Sequence, residues 1–167
     1  MANYYGTVRT NYFRVTDEAA YRRLFSGLSS DDEIQDFTKM DEKGELLHGF
    51  GSYSSVNYFP PSEGTWVDID DEDDEDRDED FKEEEEYYRD EDCDPDFDLF
   101  LSEMQRIIHP DDAFVLMEIG NEKLRYLVGS AIVVTQKGIE SIDLESEAMK
   151  KARTLLGNPK YDTRCQY

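Results

Sequence analysis

Asp68 to Asp98 reads DIDDEDDEDRDEDFKEEEEYYRDEDCDPDFD. These 31 residues hold 21 Asp and Glu against three basic residues, Arg77, Lys82 and Arg89, a local charge of −18 out of −23 for the whole 167-residue chain. The acidity is therefore local, and it separates two halves that each show helix and strand patterning. Like charges this dense repel within the roughly 8 Å Debye length of physiological salt. The stretch has too little apolar surface to offset the entropy of ordering it, so the sequence predicts an extended, mobile insertion at 68–98.

On the N-terminal side, residues 4–15 (YYGTVRTNYFRV) are aromatic and β-branched and predict a strand. Thr16 or Asp17 is placed to cap a helix whose Ala20, Tyr21, Leu24, Phe25 and Leu28 share one face, with Gly27 near its stop. Ile34 and Phe37 suggest a short strand, and DEKG at 41–44 a turn. ELLHGFGSY (45–53) predicts a second strand in which Gly49 and Gly51 permit a bulge or close approach. SSVNYF is expected to pair back on it before Pro60, Pro61 and Gly64 end this half.

On the C-terminal side, Asp96 opens a helix with the stripe Phe97, Phe100, Leu101, Met104, Ile107 and Ile108, stopped by Pro110. AFVLMEIG and KLRYLVG flank Asn121 and Glu122, which predicts a hairpin turn there, and SAIVVTQ extends the sheet after a bulge at Gly129. Asp143 opens a last helix expected to turn Ala148, Ala152, Leu155 and Leu156 inward, with Gly157 and Pro159 ending it. Helices alternating with hairpin-like strands predict an α+β fold: an antiparallel sheet with about three helices packed on it, residues 1–167 forming one domain.

Composition excludes several classes. No apolar stretch reaches about 18 residues, so no membrane span is expected, and MANYYGTVRT has no secretory h-region. Cys93 and Cys165 lie far apart without ligand neighbours at zinc spacing, which predicts a reduced, cytoplasmic protein in a host cell, with no metal and no cofactor. So negative a chain repels nucleic acid and acidic membranes and attracts basic surfaces. Tyr4, Tyr5, Tyr12, Phe13, Tyr53 and Tyr58 are expected to pack the sheet rather than stack bases.

No phosphate loop, G-x-S-x-G or H-E-x-x-H motif occurs. His48 beside Gly49 has a structural role by expectation, and His109 suits a helix C-terminus. Carboxylates alternate at 68, 70, 72 and 74 as in a calcium loop, but the position that needs glycine is Asp73. Acid–base catalysis needs a few carboxyls with separated pKa values in a shaped cleft, which a solvated polyanion does not supply. The chain is therefore expected not to be an enzyme.

Two readings of the run remain open. One is a solvated acidic linker. The other is nucleic-acid mimicry: dense carboxylates enter a basic groove shaped for phosphates. On that reading Asp70, Asp71, Asp73, Asp74, Asp76, Asp78, Asp80, Glu83, Glu84, Glu85 and Glu86 supply charge. Phe81, Tyr87 and Tyr88 stack on arginine or anchor the run to its own domain.

Two blocks lie outside the run: Arg9-Thr10-Asn11-Tyr12-Phe13-Arg14-Val15 with Asp17, and Leu116-Met117-Glu118-Ile119-Gly120-Asn121-Glu122-Lys123-Leu124-Arg125-Tyr126. They resemble a family of small acidic proteins of phages, plasmids and integrated mobile elements, and the acidity resembles anti-CRISPR inhibitors of Cas9-type nucleases. The resemblance implies a non-enzymatic inhibitor of a basic nucleic-acid-binding protein, a Cas9-type effector with or without guide RNA, and makes Tyr12, Arg14, Glu122 and Arg125 secondary contact candidates. Direct binding of nucleic acid or membrane is not expected. The alternative is an immunity or antitoxin-like protein that caps a basic cognate toxin.

Overall fold

The computed structural model describes residues 5–62, 88–89, 94–122 and 126–163. Its elements are β1 (Tyr5–Thr10), α1 (Glu18–Ser26), β2 (Leu28–Ser30), β3 (Gln35–Met40), β4 (Leu46–Ser52), β5 (Val56–Tyr58), β6 (Pro61–Ser62), β7 (Tyr88–Arg89), α2 (Phe97–Ile107), β8 (Phe114–Glu122), β9 (Tyr126–Thr135), β10 (Gly138–Asp143) and α3 (Leu144–Leu156). The fold is α+β, as the patterning predicts. A six-stranded antiparallel sheet runs in the order β10-β9-β8-β1-β4-β3, and two small ladders, β2-β5 and β6-β7, stand apart from it.

Strands from both sides of the acidic run interleave in the large sheet. β1 lies between β8 and β4, with Val8 opposite Glu118 on one side and Ser52 on the other. Side chains alternate across a strand, so even positions of β8 (Phe114, Leu116) face the helices and are buried, while odd positions Met117 and Ile119 face outward and are exposed. Tyr21 and Phe25 of α1 and Phe100 of α2 reach the inner face and build an aromatic core with Phe13, Phe50 and Phe114. Phe13 meets Phe114 edge to face at 5.2 Å, and Phe114 meets Phe100 at 6.0 Å, the offset geometry that ring quadrupoles favour.

Each helix is opened by an aspartate. Asp17 Oδ1 accepts the Ala20 amide at 3.0 Å, Asp96 Oδ1 the Leu99 amide at 2.9 Å, and Asp143 Oδ1 the Ser146 amide at 2.7 Å. Thr16, the other capping candidate for α1, instead donates its hydroxyl to the Ile107 carbonyl. Gly157 ends α3 in the left-handed region at φ 61°, and Gly44 closes the 41–44 turn at φ 81°. In that turn the amides of Glu45 and Lys43 hold the Asp41 carboxyl below the usual carboxylate range.

The structure corrects several expectations. Residues 4–15 are not one strand: β1 stops at Thr10, and the pairing with β4 slips by one residue between Arg9–Gly51 and Phe13–His48. At the slip the Thr10 hydroxyl accepts the Phe50 amide and donates to its carbonyl, which explains a buried threonine. Gly49 and Gly51 serve close approach; a Cβ on Gly51 would stand 2.9 Å from the Val8 carbonyl oxygen. The SSVNYF segment pairs with β2, not with β4. Asn121 and Glu122 are not a hairpin turn but belong to the β8–β9 ladder, opposite Leu127 and Tyr126. Gly129 is not a bulge but pairs in register with Ile119, and a Cβ there would meet Leu144 at 2.8 Å. β10 was not anticipated. The last helix keeps its caps but not its expected inward face: Leu155 is 87% exposed and Ala148 is exposed too. Tyr53 also lies in solvent, whereas Phe13 and Tyr58 pack in the core.

Candidate functional site

Of the candidate contact residues in the acidic run, Asp70 through Tyr87 lie outside the described residues, as does Arg125. Tyr88 is described through its backbone: β7 pairs with β6, Ser62 opposite Tyr88 and Pro61 opposite Arg89. Glu122 ends β8. The run is thus bracketed at its base. Below the β6–β7 ladder the Asp96 amide donates to the Tyr58 carbonyl at 2.8 Å, and the Phe59 amide donates to the Gly27 carbonyl at 2.8 Å. The Tyr58 ring is buried 5.4 Å from that of Phe100. Gly27 is required here, because a Cβ would sit 2.4 Å from the Phe59 carbonyl oxygen. Entry to and exit from the acidic segment are therefore both fixed to the core.

Tyr12 and Arg14 flank Phe13, whose amide donates to the His48 carbonyl beyond the end of β1. Lys39 Nζ lies 4.1 Å from the Tyr12 ring centroid. Arg14 joins two segments, with Nε 2.9 Å from Asp112 and an NH1 contact of 2.5 Å to Glu45. Those hydrogen bonds, to Asp112 first and Glu45 second, hold its proton more firmly than usual. Arg14 is a clamp between the 41–45 turn and the segment before β8.

A second feature was not marked as a site in the sequence. Helix α1 leaves edge strand β3 partly uncovered, and a cleft of about 280 Å³ lies between them. Tyr21, Arg22, Phe25 and Ser26 form one wall, Asp36 and Thr38 the other, with Leu46 and His48 at the floor. His48 is 4% exposed; its Nε2 donates to Glu18 at 3.0 Å and its ring lies 4.4 Å from that of Tyr21. Tyr21 is 3% exposed, and among the described residues its hydroxyl has no hydrogen-bond partner. Burial first, then the charges of Asp36 and Glu18, push the Tyr21 phenol above its ordinary value, so it stays a neutral donor.

No family model matches the chain, and no curated protein or solved structure is significantly similar to it.

Among the described residues no His, Cys, Asp and Glu cluster could hold a metal, and no helix is long and apolar enough to cross a membrane. His48 has a partner that makes a structural role sufficient, the Glu18 carboxylate. His109 Nδ1 accepts the Asp111 amide in the turn after α2. The cleft could not be read from sequence, because its walls come from segments paired only by the β3–β4 hairpin and by the tilt of α1. The one available signal is the helical spacing of Tyr21 with Phe25, which marks them as core and says nothing of the gap beside them.

Proposed function

We propose that the chain is a non-enzymatic anti-defence inhibitor whose acidic, nucleic-acid-mimicking segment occupies the basic groove of a host nuclease, a CRISPR Cas9-type effector above all, and blocks DNA binding or cleavage. The observation that carries this reading is the density of charge between two tethered ends. Residues 63–87 hold 16 acidic and two basic residues between the paired β6 and β7. At a contour of roughly 3.3 Å per residue, one net charge falls about every 6 Å of chain. A single DNA strand carries one charge per about 3.4 Å.

Cas9-type effectors hold a heteroduplex in a positively charged channel and read the PAM with arginine, so such a polyanion has a docking site by charge alone. Phe81, Tyr87 and Tyr88 add stacking surface for arginine. The folded domain supplies a fixed base, which limits the ordering cost of binding.

The test is displacement of DNA from a guide-loaded Cas9-type effector at graded salt. Wild-type affinity should fall steeply with salt. Replacing Asp70, Asp71, Asp73, Asp74, Asp76 and Asp78 with Asn should weaken inhibition and flatten that dependence, and Glu83 to Glu86 changed to Gln should act likewise. Phe81, Tyr87 and Tyr88 changed to Ala should lower affinity at every salt, because buried aromatic contact is screened little. Full potency in the neutralised protein would overturn the reading and leave the run as a solvating linker.

A further inference from the structure

The large sheet ends at β3, whose one neighbour among the described residues is β4. The bonds around that ladder fix which way the β3 backbone points. The Asp41 amide donates to the Glu45 carbonyl, and on the far side of β4 the His48 amide and carbonyl both bond Phe13. Bonded pairs alternate along an antiparallel ladder, so Phe37 and Lys39 bond Gly49 and Leu47, whereas Asp36, Thr38 and Met40 turn their N–H and C=O groups away from β4. Such free rows are normally guarded by proline, a bulge or an outward charge. β3 pairs through Gln35–Met40 without proline or bulge. Its lysine is drawn back from the edge: Lys39 Nζ lies 4.1 Å from the Tyr12 ring centroid, and Arg9 covers the Phe37 ring at 3.8 Å. Both contacts lie on the outer face, because Phe37 and Lys39 alternate with Asp36 and Thr38, which line the cleft beside α1. Edge and cleft are therefore one surface. A strand laid along β3 would bond its free backbone groups and turn every second side chain toward the space bounded by Phe25 and Leu46.

We propose that this edge receives an extended, basic peptide segment of a partner protein as a further antiparallel strand, with an apolar side chain opposite Thr38 in the cleft and a lysine or arginine opposite Asp36. Main-chain bonds supply affinity in such strand addition, and alternate side chains supply specificity. Charge selects the occupant. Asp36 is exposed at the edge, Asp31, Asp32 and Glu33 are exposed just before β3, and the whole chain is −23. Arg22 is the only lysine or arginine in the cleft lining among the described residues. A second copy of the chain would bring the same negative charge, and a neutral strand would cover the Asp36 carboxylate without pairing it. A cation opposite Asp36 turns that penalty into an ion pair. The site stands apart from the acidic run and needs neither nuclease nor nucleic acid.

The experiment is amide hydrogen exchange read by NMR on the full chain, with and without the peptide VTVTKTKK, whose two valines and first lysine fall on the cleft side. In the free chain the Asp36, Thr38 and Met40 amides should exchange faster than those of Phe37 and Lys39, which bond β4. The peptide should slow the first set and leave the second unchanged. A cationic peptide will also associate with the acidic run, so only protection at β3 counts. N-methylation of the second valine, whose amide faces Thr38, should weaken binding about tenfold, roughly 1.4 kcal/mol, whereas N-methylation of the threonine after it should leave binding unchanged, with charge equal in both. Thr38→Pro removes a donor that the β3–β4 ladder does not use, as an edge strand tolerates, and should abolish protection at Asp36 and Met40. Asp36→Asn should remove the preference for lysine over glutamine at the facing position. Slow exchange at Asp36, Thr38 and Met40 in the free chain overturns the proposal, and so does protection that rises with protein concentration alone, which would place a second copy on the edge. Equal binding of the two methylated peptides overturns it too, as does the absence of β3 protection at millimolar concentrations of this peptide and its leucine and isoleucine analogues.

Discussion

The backbone amide of Asp96 donates to the carbonyl of Tyr58 at 2.8 Å, so the chain leaves the core for the acidic segment and rejoins it at one place. Deleting Gly64 to Asp94 should therefore leave a folded domain: Glu63 joins Pro95 over a gap the hydrogen bond already holds closed. Shortening a loop is entropically favourable, by about 0.6 kcal/mol for each halving of its length. A single sharp thermal transition at or above the wild-type Tm is expected. A broad, non-cooperative one would show that the deleted residues belong to the core.

Gly27 fixes that same place from below. Its φ is −81°, so no backbone strain demands glycine; crowding does, with Phe59 O and Tyr58 Cε2 standing 2.4 and 2.5 Å from an added Cβ. Gly27→Ala should destabilise by about 1–3 kcal/mol, as overpacking does. Urea denaturation measures it, and an unchanged midpoint would mean that the 58–59 segment yields freely.

Apolar residues of similar helical spacing should differ sharply in cost. Phe100 is fully buried against Phe50, Phe97, Tyr58 and Phe114, and Phe100→Ala should cost about 3–5 kcal/mol. Leu155 is 87% exposed, and Leu155→Ala should stay within about 0.5 kcal/mol. Equal losses in the two variants would place α3 in the core.

Alkaline pH should unfold the protein through its buried phenols. Burial raises the proton affinity of Tyr21 and Tyr58 in the folded state. A raised folded-state pKa contributes stability that is complete below the unfolded value, about 10, and is lost as pH climbs past it toward the folded value. Absorbance of tyrosinate should show two late phenols that titrate with unfolding. Tyr21→Phe should move the alkaline midpoint upward; no movement would mean that Tyr21 ionises without penalty.

The elements that read well from sequence are those whose signals are local. An aspartate before an apolar stripe marks the start of the two later helices, Thr16 or Asp17 that of the first, and the alternation of Phe114, Leu116 and their neighbours marks a strand with one inner face. What failed depended on distant partners. SSVNYF has the pattern of a strand whichever neighbour it meets, and only the position of β2 after α1 decides the pairing. Leu155 and Leu156 have the spacing of a core face, yet α3 follows edge strand β10, where little lies beneath its last turns. Gly129 looked like a bulge because a glycine in a strand often is one; its neighbour Leu144 lies on the next element but one. The cleft beside Tyr21 was invisible for the same reason, since a gap between two elements has no sequence of its own.

The central position of β1 bears on how the chain reaches this state. Residues Tyr5 to Thr10 pair with Asn121 to Leu116, so one edge of the first strand made waits for nearly the last hairpin. During synthesis β1 and β4 can meet early, but their sheet keeps a bare edge until β8 leaves the ribosome. In the unfolded chain the polyanion lies between these partners, and its self-repulsion pushes them apart. Added salt should therefore quicken folding, so that the stretch of charge proposed to grip a basic groove also sets the rate at which the chain matures.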